Sequence, residues 1–194
     1  MRIISSRQQF IADHSSTNYL FYAAKPLSKE TQAYINTLSS HVAVSGRKAN
    51  LQYHGDYADL GEARRKKFLE HYDVEVRESY DWWTLSVMLD ADKVKGIKFK
   101  DYTAEGEASL TFEKQGQRIC LCFDGWHQDY GSSYGEFGTD AMKGLAKLGL
   151  ALREELYAGE IDALQAMHDY CTGEETASGS SAVGNQLASI LEKY

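Results

Sequence analysis

The sequence predicts an α+β domain: a mostly antiparallel sheet with helices on one side, then a flexible linker and a C-terminal helix. Three observations carry this reading. Short segments of polar–apolar alternation recur through the first two thirds of the chain, which is the period of half-buried strands. The longest apolar helical stripe begins only at Thr139. A run rich in Gly, Ser, Thr and Glu over 172–181 separates that body from a last amphipathic stretch. With 194 residues, a single core is the natural expectation. The chain is therefore read as one domain over 1–172, a linker over 173–181 and a docking helix over 182–194.

In chain order, Ser5 or Ser6 caps a short helix bearing Phe10 and Ile11, with Gln9 as the reciprocal partner of Ser6. Residues 18–23 form a first strand, stopped by Pro26, and Ser28 caps a helix that reaches Leu38. Residues 41–45 and 48–54 make a hairpin through Gly46, and 55–57 a turn. Residues 62–72 are helical, with Phe68, Leu69 and Tyr72 inward and Arg64, Arg65, Lys66 and Lys67 solvated. Strands follow at 74–79 and 84–89, then a helical turn ended by Gly96 and an edge strand over 97–102 guarded by its lysines.

The chain is organised around residues 107–157. Ala108, Leu110 and Phe112 alternate with polar neighbours, Gly116 turns the chain, and 118–124 is apolar on both faces, as a covered strand would be. Periodicity then breaks over 125–138. Thr139 caps a helix whose inner face is Ala141, Leu145, Leu148, Leu152 and Leu156, and Gly159 ends it. A further helix carries Ile161, Leu164, Met167 and Cys171 on one stripe. Val183, Leu187, Ile190 and Leu191 form the apolar face of the last helix. That stripe is too short to stand alone in water, so it docks, with exchange into the mate of a homodimer favoured over docking at home.

The formal charge is −7 and unevenly placed: between 124 and 175 eleven acidic residues face three basic ones. Such a field favours a protein partner with a basic surface and disfavours direct nucleic-acid binding. Three cysteines, an odd number, suit a reducing cytoplasm, and no apolar run is long enough for a membrane span. Cys120 and Cys122 lie on one side of a strand and read as core, while His71 and His168 read as structural or solvated.

Tyr19-Leu-Phe-Tyr22 followed by Pro26-Leu27, then Leu38-Ser39-Ser40, Gly55-Asp56-Tyr57, Asp81-Trp82-Trp83 and Leu152-Arg153-Glu-Glu-Leu156 with Gly159, Ala163 and Leu164 resemble an uncharacterised bacterial family. Trp83, where that pattern has glycine, departs from it. The resemblance implies a bacterial domain and brings no activity with it.

Two functional readings stay open. Asp124, His127, Asp129 and Glu136 share one loop, where a histidine near carboxylates suits general-base or metal chemistry. No nucleophile elbow, paired-cysteine site or phosphate loop accompanies them, and turn chemistry explains the loop more cheaply. No cofactor or metal is expected. The favoured reading is an interaction protein that binds or inhibits a protein partner, in the manner of small bacterial, phage or mobile-element inhibitors, the anti-CRISPR proteins among them. Its contacts would be Trp82, Trp83, Trp126, Tyr130, Tyr134, Glu154 and Glu155. The alternative is a hydrolase-like or metal-binding protein that uses the loop.

Overall fold

The computed structural model describes residues 17–54, 59–79, 82–106, 108–127, 139–174 and 181–191; at 82–83, 125–127, 139–141 and 188–191 the description is of backbone alone. The strands are β1 (Thr17–Tyr22), β2 (Val42–Ser45), β3 (Lys48–Tyr53), β4 (Val74–Ser79), β5 (Trp82–Asp90), β6 (Ser109–Gln115) and β7 (Arg118–His127). The helices are α1 (Lys29–Leu38), α2 (Glu62–Leu69), α3 (Thr139–Ala158), α4 (Asp162–Thr172) and α5 (Ala182–Leu191). All seven strands form one sheet in the order β2-β3-β1-β4-β5-β7-β6, and every pairing is antiparallel. The α+β class with a C-terminal helix is the class observed.

Alternation along each strand builds two cores. Leu20, Val76, Leu85, Val87, Leu121 and Phe123 point to the face covered by α3, α4 and α5. Tyr19, Phe21, Leu51, Met88 and Cys120 point the other way and pack with Ile35, Phe68, Leu69 and Tyr72. The long helices thus gather on one side as expected, and the short α1 and α2 add a thinner layer on the other. That second layer follows from the sequence: a face carrying Tyr19, Phe21 and Met88 cannot be left to water.

Local signals act as read in several places. The Ser28 hydroxyl accepts from the Thr31 amide and caps α1. On α3, Leu145, Leu148, Leu152 and Leu156 are buried. A Cβ on Gly149 would lie 2.9 Å from Val74 Cγ1 and 3.1 Å from Leu85 Cδ1, so glycine lets α3 sit close on the sheet. Gly159 (φ 83°) ends α3, with its amide donating to Leu156 and that of Glu160 to Glu155, which satisfies two end carbonyls.

The last helix is seated on its own chain. Val183 and Leu187 are buried in the α3-side core. The Ser181 hydroxyl donates to Glu155 at 3.0 Å, the Val183 amide to the same carboxylate at 3.4 Å, and the Ser181 amide to Asp162 at 3.0 Å. The side chains of Ile190 and Leu191 lie outside the described residues, as do the proposed first helix, the 55–57 turn and most of the linker.

Three expectations are corrected. Residues 97–102 are not an edge strand: Phe99–Tyr102 form a 3-10 turn. A strand would place Tyr102 opposite Phe99, whereas positions three apart in a 3-10 turn align. Phe99 and Tyr102 thereby reach the same core with Ile97, and Phe99 meets Phe112 at 4.7 Å. Ile161 does not begin the buried stripe of α4; it precedes the helix at its N-cap and is 37% exposed, while Leu164 and Met167 are buried. The basic run at 64–67 is not uniformly solvated, because Arg65 reaches a fully buried Glu75. Among the described residues no helix is long and apolar enough to cross a membrane.

Candidate functional site

The sequence pointed to the end of β7 and the loop beyond it. Trp83 lies opposite Trp126 and Trp82 opposite His127, so four of the expected residues meet at one end of the β5–β7 pair. The next matched pair is Leu85 with Phe123, so two steps on β5 span three on β7 and the ladder bulges beside Asp124. The Thr84 hydroxyl donates to Asp124 Oδ1 at 2.6 Å and accepts from Arg77 Nη2 at 3.1 Å; that nitrogen lies 3.9 Å from Asp124 Oδ2. Asp124 is thus held in a chain of polar groups across three strands, its side chain 40% exposed. Asp129, Tyr130, Tyr134 and Glu136 lie outside the described residues, as do the side chains of Trp82, Trp83, Trp126 and His127.

Two buried carboxylates that sequence reasoning missed stand on β4, one toward each face. Glu75 is wholly buried under α2, where Arg65 Nε reaches both of its oxygens at 2.8 and 2.7 Å and Arg65 Nη2 continues to the Ser86 hydroxyl at 2.9 Å. Such a bidentate pair compensates the desolvation of both charges. Glu78 is buried with a single neutral donor, Asn18 Nδ2 at 3.2 Å, and burial pushes its carboxyl up to about 8. Neither acid stands out in the sequence, since Arg77 directly precedes Glu78 and both lie in a strand of mixed apolar and charged residues.

Nucleophile chemistry finds little support in the cysteines. Burial pushes the Cys120 thiol up to about 12 and that of Cys171 to about 11, and raises Cys122. Thiols so raised are protonated at neutral pH and unreactive. His71 packs edge-on against Tyr34 at 5.5 Å, and His168 against Tyr102 at 6.1 Å. Among the described residues no group of three His, Cys, Asp or Glu could hold a metal ion.

The opposite end of the sheet carries an ionic cluster around a cleft of about 810 Å³. Asp73, just before β4, accepts from the Ala24 amide at 2.7 Å and from Arg118 Nη2 at 3.0 Å, and lies 3.3 Å from Arg153 Nη2. Arg153 also donates to the Met88 carbonyl at 3.2 Å and stacks over Tyr157 at 4.6 Å. Partial burial opposes ionisation of Asp90, yet hydrogen bonds from Lys93 and Tyr157 hold its carboxyl below the usual range. Glu154 lies in this cleft, paired with Arg153 at 2.8 Å. Glu155, expected at the partner surface, instead holds the start of α5. The expected contacts are therefore split: the tryptophans and Asp124 at one end of the sheet, Glu154 at the other.

No protein-family model matches the chain, so the bacterial resemblance gains no support there. No curated protein matches it in sequence. Among solved structures the chain is similar to the ligand-free regulatory subunit of aspartate kinase from Thermus thermophilus, at 12% identity over 69% of this chain and 94% of that one. The TM-score is 0.27, too low to carry an argument about fold or function.

Proposed function

We propose that this chain is a binding protein that engages, and so inhibits, a protein partner with a basic surface. The observation that supports it is the β5–β7 register, which collects Trp82, Trp83, Trp126 and His127 at one sheet end beside Asp124. Tryptophan dominates the energetic centres of interfaces, and a partly exposed carboxylate beside it suits a cationic partner. The net charge of −7 steers such an encounter. Basic surfaces of this kind belong above all to nucleic-acid-processing proteins, which fits an anti-CRISPR-like role in a bacterial cytoplasm. Asp124 is already engaged by Thr84 and Arg77, so it is better placed to orient a surface than to take a proton.

The test is retention on the immobilised protein. Wild type should hold a defined bacterial protein that the Trp83→Ala/Trp126→Ala variant releases, with the interaction weakening as salt rises. The same proteins retained by a folded double variant would overturn the reading. So would a hydrolytic activity or bound metal that disappears in His127→Ala while the melting temperature holds, since that outcome installs the enzymatic alternative.

A further inference from the structure

The sheet ends in two edge strands, β2 and β6, and the chain treats them differently. On β6 the Leu110 amide donates to the Ala104 carbonyl at 2.9 Å, and the Leu110 carbonyl accepts from the Ala104 amide at 3.0 Å. Farther along that edge stand Glu113 and Lys114, with Lys66 bound to Glu113 at 2.9 Å. A covering segment and charges of this kind keep a foreign strand away. β2 is Val-Ala-Val-Ser, and residues 39–45 include no Asp, Glu, Lys, Arg, proline or glycine. Its register with β3 runs without a bulge. Shortness is the one guard it has.

The turn decides which groups β2 offers. Gly46 (φ 54°) and Arg47 make a two-residue connection, so Ser45 and Lys48 face each other as a hydrogen-bonded pair. Alternation makes Ala43 and Asn50 the next bonded pair. The backbone N–H and C=O groups of Val42 and Val44 therefore point away from β3, and among the described residues none of them has a hydrogen-bond partner. Two amides and two carbonyls at strand spacing are matched by an extended backbone. The edge is also ordered beforehand. The His41 amide donates to the Ser39 hydroxyl at 3.1 Å, that hydroxyl lies 2.9 Å from the Tyr53 hydroxyl, and the Leu27 amide donates to the Gly46 carbonyl at 3.0 Å. Pinning both ends lowers the entropy that binding must remove.

We propose that β2 binds an extended segment of a partner protein by strand addition, and that this segment alternates apolar with acidic side chains. The two faces of β2 set that chemistry. On the α1 side, Leu27, Leu38, Val42 and Val44 form a half-buried apolar rim of the second core, which apolar side chains of an added strand would cover. On the other side Ala43 and Ser45 are exposed. Lys48 stands cross-strand from Ser45 and, among the described residues, pairs with no acid. An acidic side chain on that face is complementary in charge. A second copy of this chain suits the edge less well, because its own β2 brings no acid to Lys48. Four strand spacings, about 19 Å, separate β2 from β5, so this surface is distinct from the tryptophan end.

Amide exchange of the whole protein, read by nuclear magnetic resonance, decides the matter with capped synthetic peptides of about six residues that alternate valine with glutamate. At saturation the peptide should slow exchange of the Val42 and Val44 amides at least about tenfold and leave those of Phe112 and Lys114 unchanged. A peptide with lysine in place of glutamate should bind more weakly. Val44→Pro removes one outward N–H and leaves the β3 ladder alone, so it should fold and bind at least about tenfold more weakly; Val42→Pro stands in if it folds poorly. No peptide-dependent protection at millimolar concentration overturns the proposal, as does equal affinity in wild type and a folded proline variant. Equal or tighter binding of the lysine peptide overturns the acidic character of the segment. Protection that rises with protein concentration without peptide, together with a dimer in light scattering, overturns it in favour of a second copy. None of these outcomes touches the tryptophan end of the sheet.

Discussion

Replacing Glu78 by glutamine should make the protein more stable at alkaline pH. Glu78 is 5% exposed, accepts one hydrogen bond from Asn18, and is pushed up to about 8 from an ordinary value of 4.5. Between those two values the folded chain keeps a proton that the unfolded chain has released. The folded state therefore binds more protons, and stability falls as pH rises through this window. Each pH unit is worth about 1.4 kcal/mol, which sets a ceiling of about 4–5 kcal/mol above pH 8. Glutamine has the same shape, accepts the same bond from Asn18 and does not ionise. Melting curves by circular dichroism should nearly coincide at pH 5 and separate steadily above it. At pH 8.5 the variant should melt roughly 5–15 °C higher, at about 2–4 °C per kcal/mol for a chain of this size. Parallel profiles across pH 5–9 would refute the claim that Glu78 is buried and protonated in the folded state.

Other perturbations test the packing. Arg153→Met leaves Asp73 and Asp90 without one cation and should cost about 2–4 kcal/mol in urea denaturation; a loss under about 0.5 kcal/mol would show the cluster to be solvated. Gly149→Ala drives a methyl to within 2.9 Å of Val74 and should destabilise by about 1–3 kcal/mol, so an unchanged melting temperature would mean that α3 does not sit where described. Leu187→Ala should cost about 2–4 kcal/mol and expose α5 to protease. Light scattering over a dilution series should find wild type monomeric, with α5 docked at home; a dimer lost on deleting 182–194 would establish exchange instead.

What the sequence showed and what it hid divide along physical lines. Alternation in β6, the hairpin at Gly46 and the leucine stripe of α3 were legible because each depends on neighbours two to four residues away. The 97–102 segment misled because alternating lysines imitate an edge strand, whereas Ile97, Phe99 and Tyr102 turn to one core. The Arg65–Glu75 pair stayed hidden since nothing in a run of four basic residues says which one a helix will bury. Asp73, Asp90, Arg118 and Arg153 meet only through strand order, and no spacing along the chain reports on that. At the candidate site the three tryptophans were legible as residue types, but their meeting at one end of β5 and β7 was a matter of register.

The two faces of the sheet also set the order in which the protein becomes complete during synthesis. The α2-side core draws on residues from Tyr19 to Cys120. It can close once β7 has left the ribosome. The other core needs Val183 and Leu187, which lie well beyond the end of β7 at His127. Until α3 and α4 follow, Leu20, Val76, Val87 and Leu121 present a bare apolar wall on an otherwise formed sheet, a surface of the kind that chaperones hold and that aggregates recruit, and only α5 completes the cover. A pause in translation between β7 and α5 would lengthen that exposure, so aggregation of this chain should respond to codon choice in the segment encoding α3 and α4 more than in the segment encoding β1 to β3.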